Sequence, residues 1–272
     1  MASARKHHHQ LPLRLARDKN GQRRGGSYRT DGRFANRRNP RGAGRKPKGP
    51  HAGVSHAKRP AIEGRFPLHI TLRTSSDIGW LRRFDTFAAI RVALQVVAAK
   101  ASEFRIVHVS VQNNHLHLIC EAANKRALSR GMRAFQISAA KHLNAAISRR
   151  RRLPTRRRGR VFTDRYHVEV LTTPTQVRNA LAYVLNNWRR HGVDRDAVVE
   201  LDHARLDAYA SGLAFEGWRE PLPRQDIQVP PSYEPPTVSR PMTWLLRVGW
   251  TKARSISMFE IPGPRHEPLV DA

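Results

Sequence analysis

The 272-residue sequence is poor in cysteine and in acidic residues: it has a single Cys, at position 120, and 21 Asp and Glu against 50 Lys and Arg. One cysteine excludes an internal disulfide and a zinc site built from several thiolates of one chain. No apolar run reaches the roughly twenty residues needed to cross a bilayer, and the N-terminus lacks the apolar core of a signal peptide. We therefore expect a reduced, cytoplasmic protein without a membrane partner.

The surplus of basic residues gives a formal net charge of +29 at pH 7. Such a charge attracts polyanions, so nucleic acid is the expected partner and the nucleoid the expected location. Residues 1–65 are dense in Lys and Arg, contain only Asp18, Asp31 and Glu63 as acids, and show no apolar periodicity. This composition predicts a disordered basic arm, followed by a folded domain over 66–195 and a partly ordered C-terminal extension over 196–272.

Hydrophobic periodicity predicts four strands and three helices in the folded domain. In chain order they are a strand in PLHITLR, a helix over Ile78–Ala101, strands in RIVHVSVQ and HLHLICE, a helix over Ser129–Ser148, a strand in RVFTDRYHVEVL and a helix over Pro174–His191. This order predicts an α+β fold in which helices cover one or both faces of an antiparallel sheet.

Side-chain patterns add detail to these elements. A tight turn is expected at Asn113 and Asn114, because Asn tolerates positive φ. The last helix should begin with a capping box of Thr173 and Gln176 and end at Gly192. The apolar positions expected to pack are Val107, Val109 and Val111 on one strand face, Leu81, Phe84, Phe87, Ile90, Val92, Leu94 and Val97 in the first helix, and Met132, Phe135, Ile137, Ala140 and Leu143 in the second.

Two histidines one residue apart in HLHLIC are the first candidate functional residues. In a strand, His115 and His117 project from one face, while Leu116 and Leu118 face the core. Their Cα atoms then lie roughly 6.5 to 7 Å apart, a separation from which both imidazoles can bind one cation. Taken alone, the pattern is weak and favours two half-buried histidines of a sheet over a metal site.

The last helix supplies the second set of candidates. Its apolar stripe, which should face the sheet, consists of Val177, Leu181, Val184 and Trp188. Tyr183 and Asn187 are four residues apart, so they share a helix face at the margin of that stripe. Taken alone, they also fit a tyrosine at the core boundary and an exposed asparagine.

Together, HLHL at 115–118 and YVLNNW at 183–188 resemble the single-tyrosine HUH transposases, in particular the IS200-like and REP-associated branch. In that family a His-hydrophobic-His strand and a polar residue four positions after a helical tyrosine bind a divalent cation. The family usually has proline where this chain has Trp188. The resemblance spans about residues 66 to 192 and implies a ferredoxin-like or RRM-like HUH nuclease domain.

The resemblance implies Tyr183 as the nucleophile and His115, His117 and Asn187 as ligands of Mg²⁺ or Mn²⁺. A phenol that attacks a DNA phosphate stores the bond energy in a phosphotyrosine for rejoining. By the family's precedent the tyrosine joins the 5′ side of the break, and the substrates are single-stranded DNA with hairpins. Two imidazoles and an amide suit Mn²⁺ better than Mg²⁺, although Mg²⁺ is the more abundant ion in cells. A homodimer is compatible with the resemblance, because some relatives exchange their tyrosine helices.

An arginine run precedes the last predicted strand. It is expected to contact DNA phosphates and comprises Arg149, Arg150, Arg151, Arg152, Arg156, Arg157, Arg158 and Arg160. Single-stranded flanks of a hairpin also require stacking residues. The candidates for stacking are Phe162, Tyr166 and Trp188, whereas Trp218, Trp244 and Trp250 could either bind DNA or dock the C-terminal extension.

Three other functions fit parts of the sequence. His69 in HITL and His108 in HVSV match the paired motif of two-histidine phosphoesterases, in which the histidines act as acid and base. A non-catalytic binder of the same fold would hold hairpins without forming a covalent adduct. A replication initiator or relaxase shares the histidine pair and the tyrosine but normally carries further modules.

Overall fold

Alternating apolar residues build a four-stranded antiparallel sheet in the computed structural model, which describes residues 61–100, 102–191, 206–221 and 233–263. The strands are β1 (Leu68–Arg73), β2 (Phe104–Val111), β3 (His115–Ala122) and β4 (His167–Val170), in the order β2-β3-β1-β4. The helices are α1 (Phe84–Ala98), α2 (Lys125–Arg150), α3 (Pro174–His191) and the short α4 (Trp244–Arg247). The predicted α+β fold with an antiparallel sheet is confirmed. The arm predicted over residues 1–65 lies outside the described residues up to position 60, as does Gly192.

Helices α1 and α2 cover one face of the sheet. Leu68, Ile70 and Leu72 of β1 and Leu116 and Leu118 of β3 pack into the core beneath them. Three residues predicted for the packed stripes are instead exposed: Phe84 by 67%, Val92 by 37% and Ile137 by 60%. The first helix begins only at Phe84, after a 3-10 turn over Ser76–Ile78, so the long stripe predicted from Ile78 does not form.

A bulge in β2 overturns the predicted placement of its valines. The pairing with β3 shifts between Ile106 and His108. An extra residue in one strand reverses the side on which the following side chains project. Val109 and Val111 therefore pack under α1 and α2, whereas Val107 faces α3 on the other side of the sheet.

The β2–β3 turn forms where it is predicted, but by a different backbone conformation. Gln112 N donates to His115 O over 2.9 Å. Within the described ranges Arg152 is the one non-glycine residue with positive φ, so neither asparagine of the turn adopts it. Asn114 contributes to the turn through its side chain, because its Oδ1 lies 2.8 Å from His115 Nδ1.

Helix α3 crosses the opposite face of the sheet, and its predicted bounds and capping box are confirmed. Gln176 N donates to Thr173 Oγ1 and Thr173 N donates to Gln176 Oε1, each over 3.2 Å. The predicted stripe is buried together with Val107 and Ile119 of the sheet. No helix in the described part of the chain is long and apolar enough to cross a membrane.

Residues 206–221 and 233–263 pack on α3 and on the edge of β2. Trp218 and Trp250 are buried against α3, while Trp244 is 53% exposed. Arg178 of α3 is buried and binds the Glu260 carboxylate through both terminal nitrogens. These C-terminal segments therefore complete the apolar core between α3 and the sheet, and they hold α3 in place.

Candidate functional site

The face of the sheet beneath α3 brings together polar side chains from β1 and β3. The antiparallel register places Thr71 opposite His117 and Arg73 opposite His115. His69 precedes Thr71 by two residues and so projects from the same face. The two histidines of the HLHL motif thus share their surface with a third histidine.

His117 lies at the centre of this cluster. It is 4% exposed, and its Nδ1 lies 3.2 Å from both His69 Nε2 and Thr71 Oγ1. The Glu169 carboxylate of β4 lies 3.8 Å from the other ring nitrogen of His69. Burial lowers the pKa of His69, and the nearby Glu169 carboxylate opposes that shift. Glu169 contacts His69, and His69 contacts His117, so this chain of polar contacts orients the His117 ring.

His115 is half-buried, whereas His117 is buried. Its ring centroid is 4.8 Å from that of His117. Asn114 Oδ1 can only accept a hydrogen bond, so the 2.8 Å contact with His115 Nδ1 requires the proton on Nδ1. The neutral ring is then the tautomer with an unprotonated Nε2, the form that binds a cation.

Tyr183 of α3 faces these histidines. Its ring meets His117 edge to face at 5.0 Å between centroids and lies 5.8 Å from the ring of His69. The side chain is half-buried, and it lines a cavity of about 730 Å³ together with His69, Glu169 and Arg254. The helix therefore places a phenol beside the imidazole cluster and at the wall of an open cavity.

Asn187 lies one turn after Tyr183 and is fully buried, not at the margin where the sequence pattern places it. Neither its Oδ1 nor its Nδ2 has a hydrogen-bond partner. A buried amide without partners is costly, on the order of 1–3 kcal/mol for each unmet group. The neighbouring Asn186 differs, because its Nδ2 donates to Ser257 O over 2.9 Å.

The residues present fit a divalent cation held by two imidazoles and an amide. Two imidazole nitrogens and an amide oxygen suit a small transition-series ion. Asn187 Oδ1, which is buried without a hydrogen-bond partner, would gain a partner by binding such a cation. Within the described ranges no group of three His, Cys, Asp or Glu is placed to hold a metal. A cation here would therefore depend on the asparagine.

Five arginines of the predicted DNA-contact run bind groups of the protein itself, and two of the five bind side chains. Arg150 binds the Asp85 carboxylate at 2.9 Å, and Arg157 binds both Asp77 and Asn144. Arg151, Arg156 and Arg160 are exposed but donate to the backbone oxygens of Asp77, Lys141 and Phe162. Arg149, Arg152 and Arg158 are exposed as well. The run begins in the last turn of α2, on the opposite face of the sheet from α3. It then reaches the end of β1, where Thr163 N donates to Arg73 O over 3.1 Å.

The aromatic residues considered for base stacking are all in the core. Phe162, Tyr166 and Trp188 are 8%, 6% and 3% exposed. The exposed aromatic side chains near the arginine run are instead Trp80 and Phe84, at 66% and 67%. The sequence signal for them is the alternation of aromatic and basic residues in GWLRRF at 79–84.

His108 projects from the same face of the sheet as His69, since both residues pair with Ile119 of β3. It is 6% exposed, its Nδ1 lies 3.1 Å from Ser211 Oγ, and Phe215 covers its ring at 5.5 Å. Burial lowers its pKa to about 4. Ile119 lies between His69 and His108 in the sheet, and His108 contacts Ser211 and Phe215 whereas His69 contacts His117. Joint action of His69 and His108 as in the two-histidine phosphoesterases stays a prediction.

Residues 69–187 match the family model described as "Transposase IS200 like". Among solved structures, a REP-associated tyrosine transposase bound to a REP hairpin is 18% identical, with a TM-score of 0.40 and coverage of 52% of this chain and 76% of that one. A candidate transposase from Deinococcus radiodurans is 13% identical, with a TM-score of 0.32 and coverage of 46% and 89%. A bacterial tRNA(His) guanylyltransferase-like protein in complex with GTP is 12% identical, with a TM-score of 0.34 and coverage of 53% and 70%. No curated protein sequence matches the chain at a significant level.

Proposed function

Because residues 69–187 belong to the IS200-like transposase family, we propose that this chain cuts and rejoins single-stranded DNA at hairpin-bearing sites through Tyr183. The observation that carries the proposal is the packing of the Tyr183 ring against His117, at 5.0 Å between centroids. The family match begins at His69, which contacts His117, and ends at Asn187, the third proposed ligand. A transposase domain and a tyrosine placed beside paired histidines support the same chemistry.

In the proposed reaction, Tyr183 Oη attacks the scissile phosphorus. A bond forms between that oxygen and phosphorus, and the bond from phosphorus to the 3′ oxygen breaks. The phenolic proton is lost and the departing oxygen gains one, so the products are a 5′-phosphotyrosine and a 3′ hydroxyl. Rejoining is the reverse attack by a 3′ hydroxyl, which requires no external energy source.

His115, His117 and Asn187 would hold the divalent cation. Its contribution when bound is to polarise the scissile phosphate and to stabilise the charge that develops there. The chain's own contribution is orientation: the Asn114 amide fixes the tautomer of His115, while Thr71 and His69 contact His117 Nδ1. Such outer contacts keep imidazole ligands in a single orientation.

A labelled-DNA assay tests the proposal. Single-stranded DNA containing a palindrome from the sequence around the gene is labelled at its 3′ or its 5′ end and incubated with Mn²⁺. The proposal expects a protein-linked band on a denaturing gel with the 3′ label only. The tyrosine is joined to the 5′ phosphate created at the break, and the fragment that begins with this phosphate carries the 3′ end of the DNA. The band should disappear with EDTA and with Tyr183→Phe. Cleavage without a linked band would instead indicate hydrolysis.

A further inference from the structure

Hairpin DNA with single-stranded flanks leaves bases whose faces are free to stack on aromatic side chains. Trp80 and Phe84 are the most exposed large aromatic residues of the described ranges, at 66% and 67%. We propose that these two rings, with the arginines around the start of α1, form the surface that binds the single-stranded DNA next to the hairpin. This inference rests on the proposed function and assigns a binding site for one part of its substrate.

The segment that carries Trp80 is held firmly although the ring is exposed. Thr86 Oγ1 lies 3.1 Å from Trp80 O and 3.0 Å from Leu81 O. Leu81 is fully buried, and Gly79 turns the chain before Trp80 with φ of 77°. Apolar rings exposed on such a fixed segment lose little conformational entropy on binding, which favours a recognition surface.

The groove beside Phe84, four residues after Trp80, is basic. It has a volume of about 610 Å³ and is lined by Arg83, Phe84, Asp85, Ala146, Arg149 and Arg150. The single carboxylate in this groove is bound by Arg150 at 2.9 Å and lies 3.9 Å from Arg83. Three guanidinium groups thus face one acid, and the remaining positive charge suits a phosphate backbone.

The same charge argues against other occupants. Residues 1–65 of the chain are dense in Lys and Arg, so this positive groove repels them. In double-stranded DNA the bases are stacked on each other and their faces are closed to an aromatic side chain. Aromatic rings beside guanidinium groups therefore favour unpaired nucleotides over a duplex or a basic peptide.

The position of the surface connects it to the proposed catalytic cluster. Leu81 N donates to Asn113 O over 2.8 Å, and Thr74 N donates to Asn114 O over 2.9 Å. The segment from β1 to α1 thus wraps the turn that leads directly into His115. A strand stacked on Trp80 would continue toward the end of the sheet that carries the metal ligands.

Affinity measurements with two DNA probes test the inference. Both probes have the same hairpin, and only one carries an unpaired flank on each side. Fluorescence anisotropy in EDTA measures Kd for the Tyr183→Phe protein, so that cleavage does not interfere. Trp80→Ala should weaken binding of the flanked hairpin about tenfold, since one stacked base is worth roughly that factor. It should leave the blunt hairpin unchanged, and Trp80→Phe should restore most of the affinity.

Trp244→Ala is the matched control, because this tryptophan is 53% exposed but lies beside Lys252 in the C-terminal segment. It should change neither Kd. Equal losses for both probes with Trp80→Ala, or no loss for either, would overturn the inference. A covalent-adduct assay on the Trp80→Ala protein with intact Tyr183, at saturating DNA, separates this outcome from failure of the proposed function. A normal adduct together with unchanged Kd values would reject Trp80 as a stacking residue and leave the proposed function standing.

Discussion

The ring of Tyr183 meets the ring of His117 edge to face, with 5.0 Å between the ring centroids. One residue comes from α3 and the other from β3, so the contact joins the two elements on which the proposed chemistry depends. The C-terminal extension stabilises this arrangement, because buried Arg178 ties α3 to Glu260. The packing of α3 against the proposed catalytic cluster therefore depends on a residue well outside the family match.

His69 is expected to act as a positioning residue for His117. Its Nε2 lies 3.2 Å from His117 Nδ1, and loss of such an outer contact costs metal affinity about 10- to 100-fold. His69→Ala should weaken Mn²⁺ binding by that factor and leave the affinity for a hairpin in EDTA unchanged. Electron paramagnetic resonance measures the free Mn²⁺ concentration in a titration and thus the Kd for Mn²⁺. His69→Gln, which can restore the hydrogen bond, should recover part of the affinity. Unaltered Mn²⁺ affinity in His69→Ala would contradict this role.

The adjacent asparagines Asn186 and Asn187 should behave in opposite ways. Asn187→Ala removes the proposed ligand but no hydrogen bond, so Mn²⁺ binding should fall at least tenfold while Tm is unchanged or higher. Asn186→Ala removes a buried bond to Ser257 O and should lower the free energy of unfolding by about 1 kcal/mol, with normal Mn²⁺ affinity. Calorimetry of both variants measures both quantities. A lower Tm in Asn187→Ala with intact Mn²⁺ binding would assign that amide to the fold alone.

Substitution of two neighbouring arginines of the run should have different effects, one on DNA binding and the other on Tm. Arg158 is exposed, so Arg158→Ala should weaken DNA binding and reduce the slope of log K against log salt by about 1, without changing Tm. Arg157 binds Asp77 and Asn144, so Arg157→Ala should lower Tm. Salt titrations of DNA affinity and thermal unfolding of the two variants check the pair. An unchanged salt slope in Arg158→Ala would remove it from the DNA surface.

His108 should make stability depend on pH. Its pKa is about 4 in the folded protein, because the ring is buried, against about 6.5 in the unfolded chain. The unfolded state therefore takes up the proton first, and stability should fall as the pH drops from about 6.5 to 4. The loss amounts to roughly 3 kcal/mol by linkage. Urea unfolding at pH 7 and pH 4.5 should show a smaller difference for His108→Gln than for the wild type. Parallel losses in the two proteins would contradict it.

Local patterns in the sequence were sufficient for α3, whose bounds, capping box and apolar stripe are all confirmed. They failed where one residue changes the register, since the bulge after Ile106 sends Val107 to the opposite face from Val109. No periodicity reveals such an insertion. The cluster around His117 was only partly predictable, because His69 and Glu169 join it through strand pairing between distant segments. Likewise, the burial of Asn187 depends on packing between α3 and the sheet, which helical spacing alone does not specify.

The central claim is that Tyr183 forms the covalent bond to DNA, and peptide mapping of the adduct tests it most directly. The chain has five tyrosines, and cleavage after Arg178 and Arg189 yields NALAYVLNNWR, in which Tyr183 is the one tyrosine. After nuclease treatment of the adduct, mass spectrometry should find this peptide with a nucleotide attached through its tyrosine. The same modification on a peptide containing another tyrosine, or an adduct that persists in Tyr183→Phe, would contradict the account.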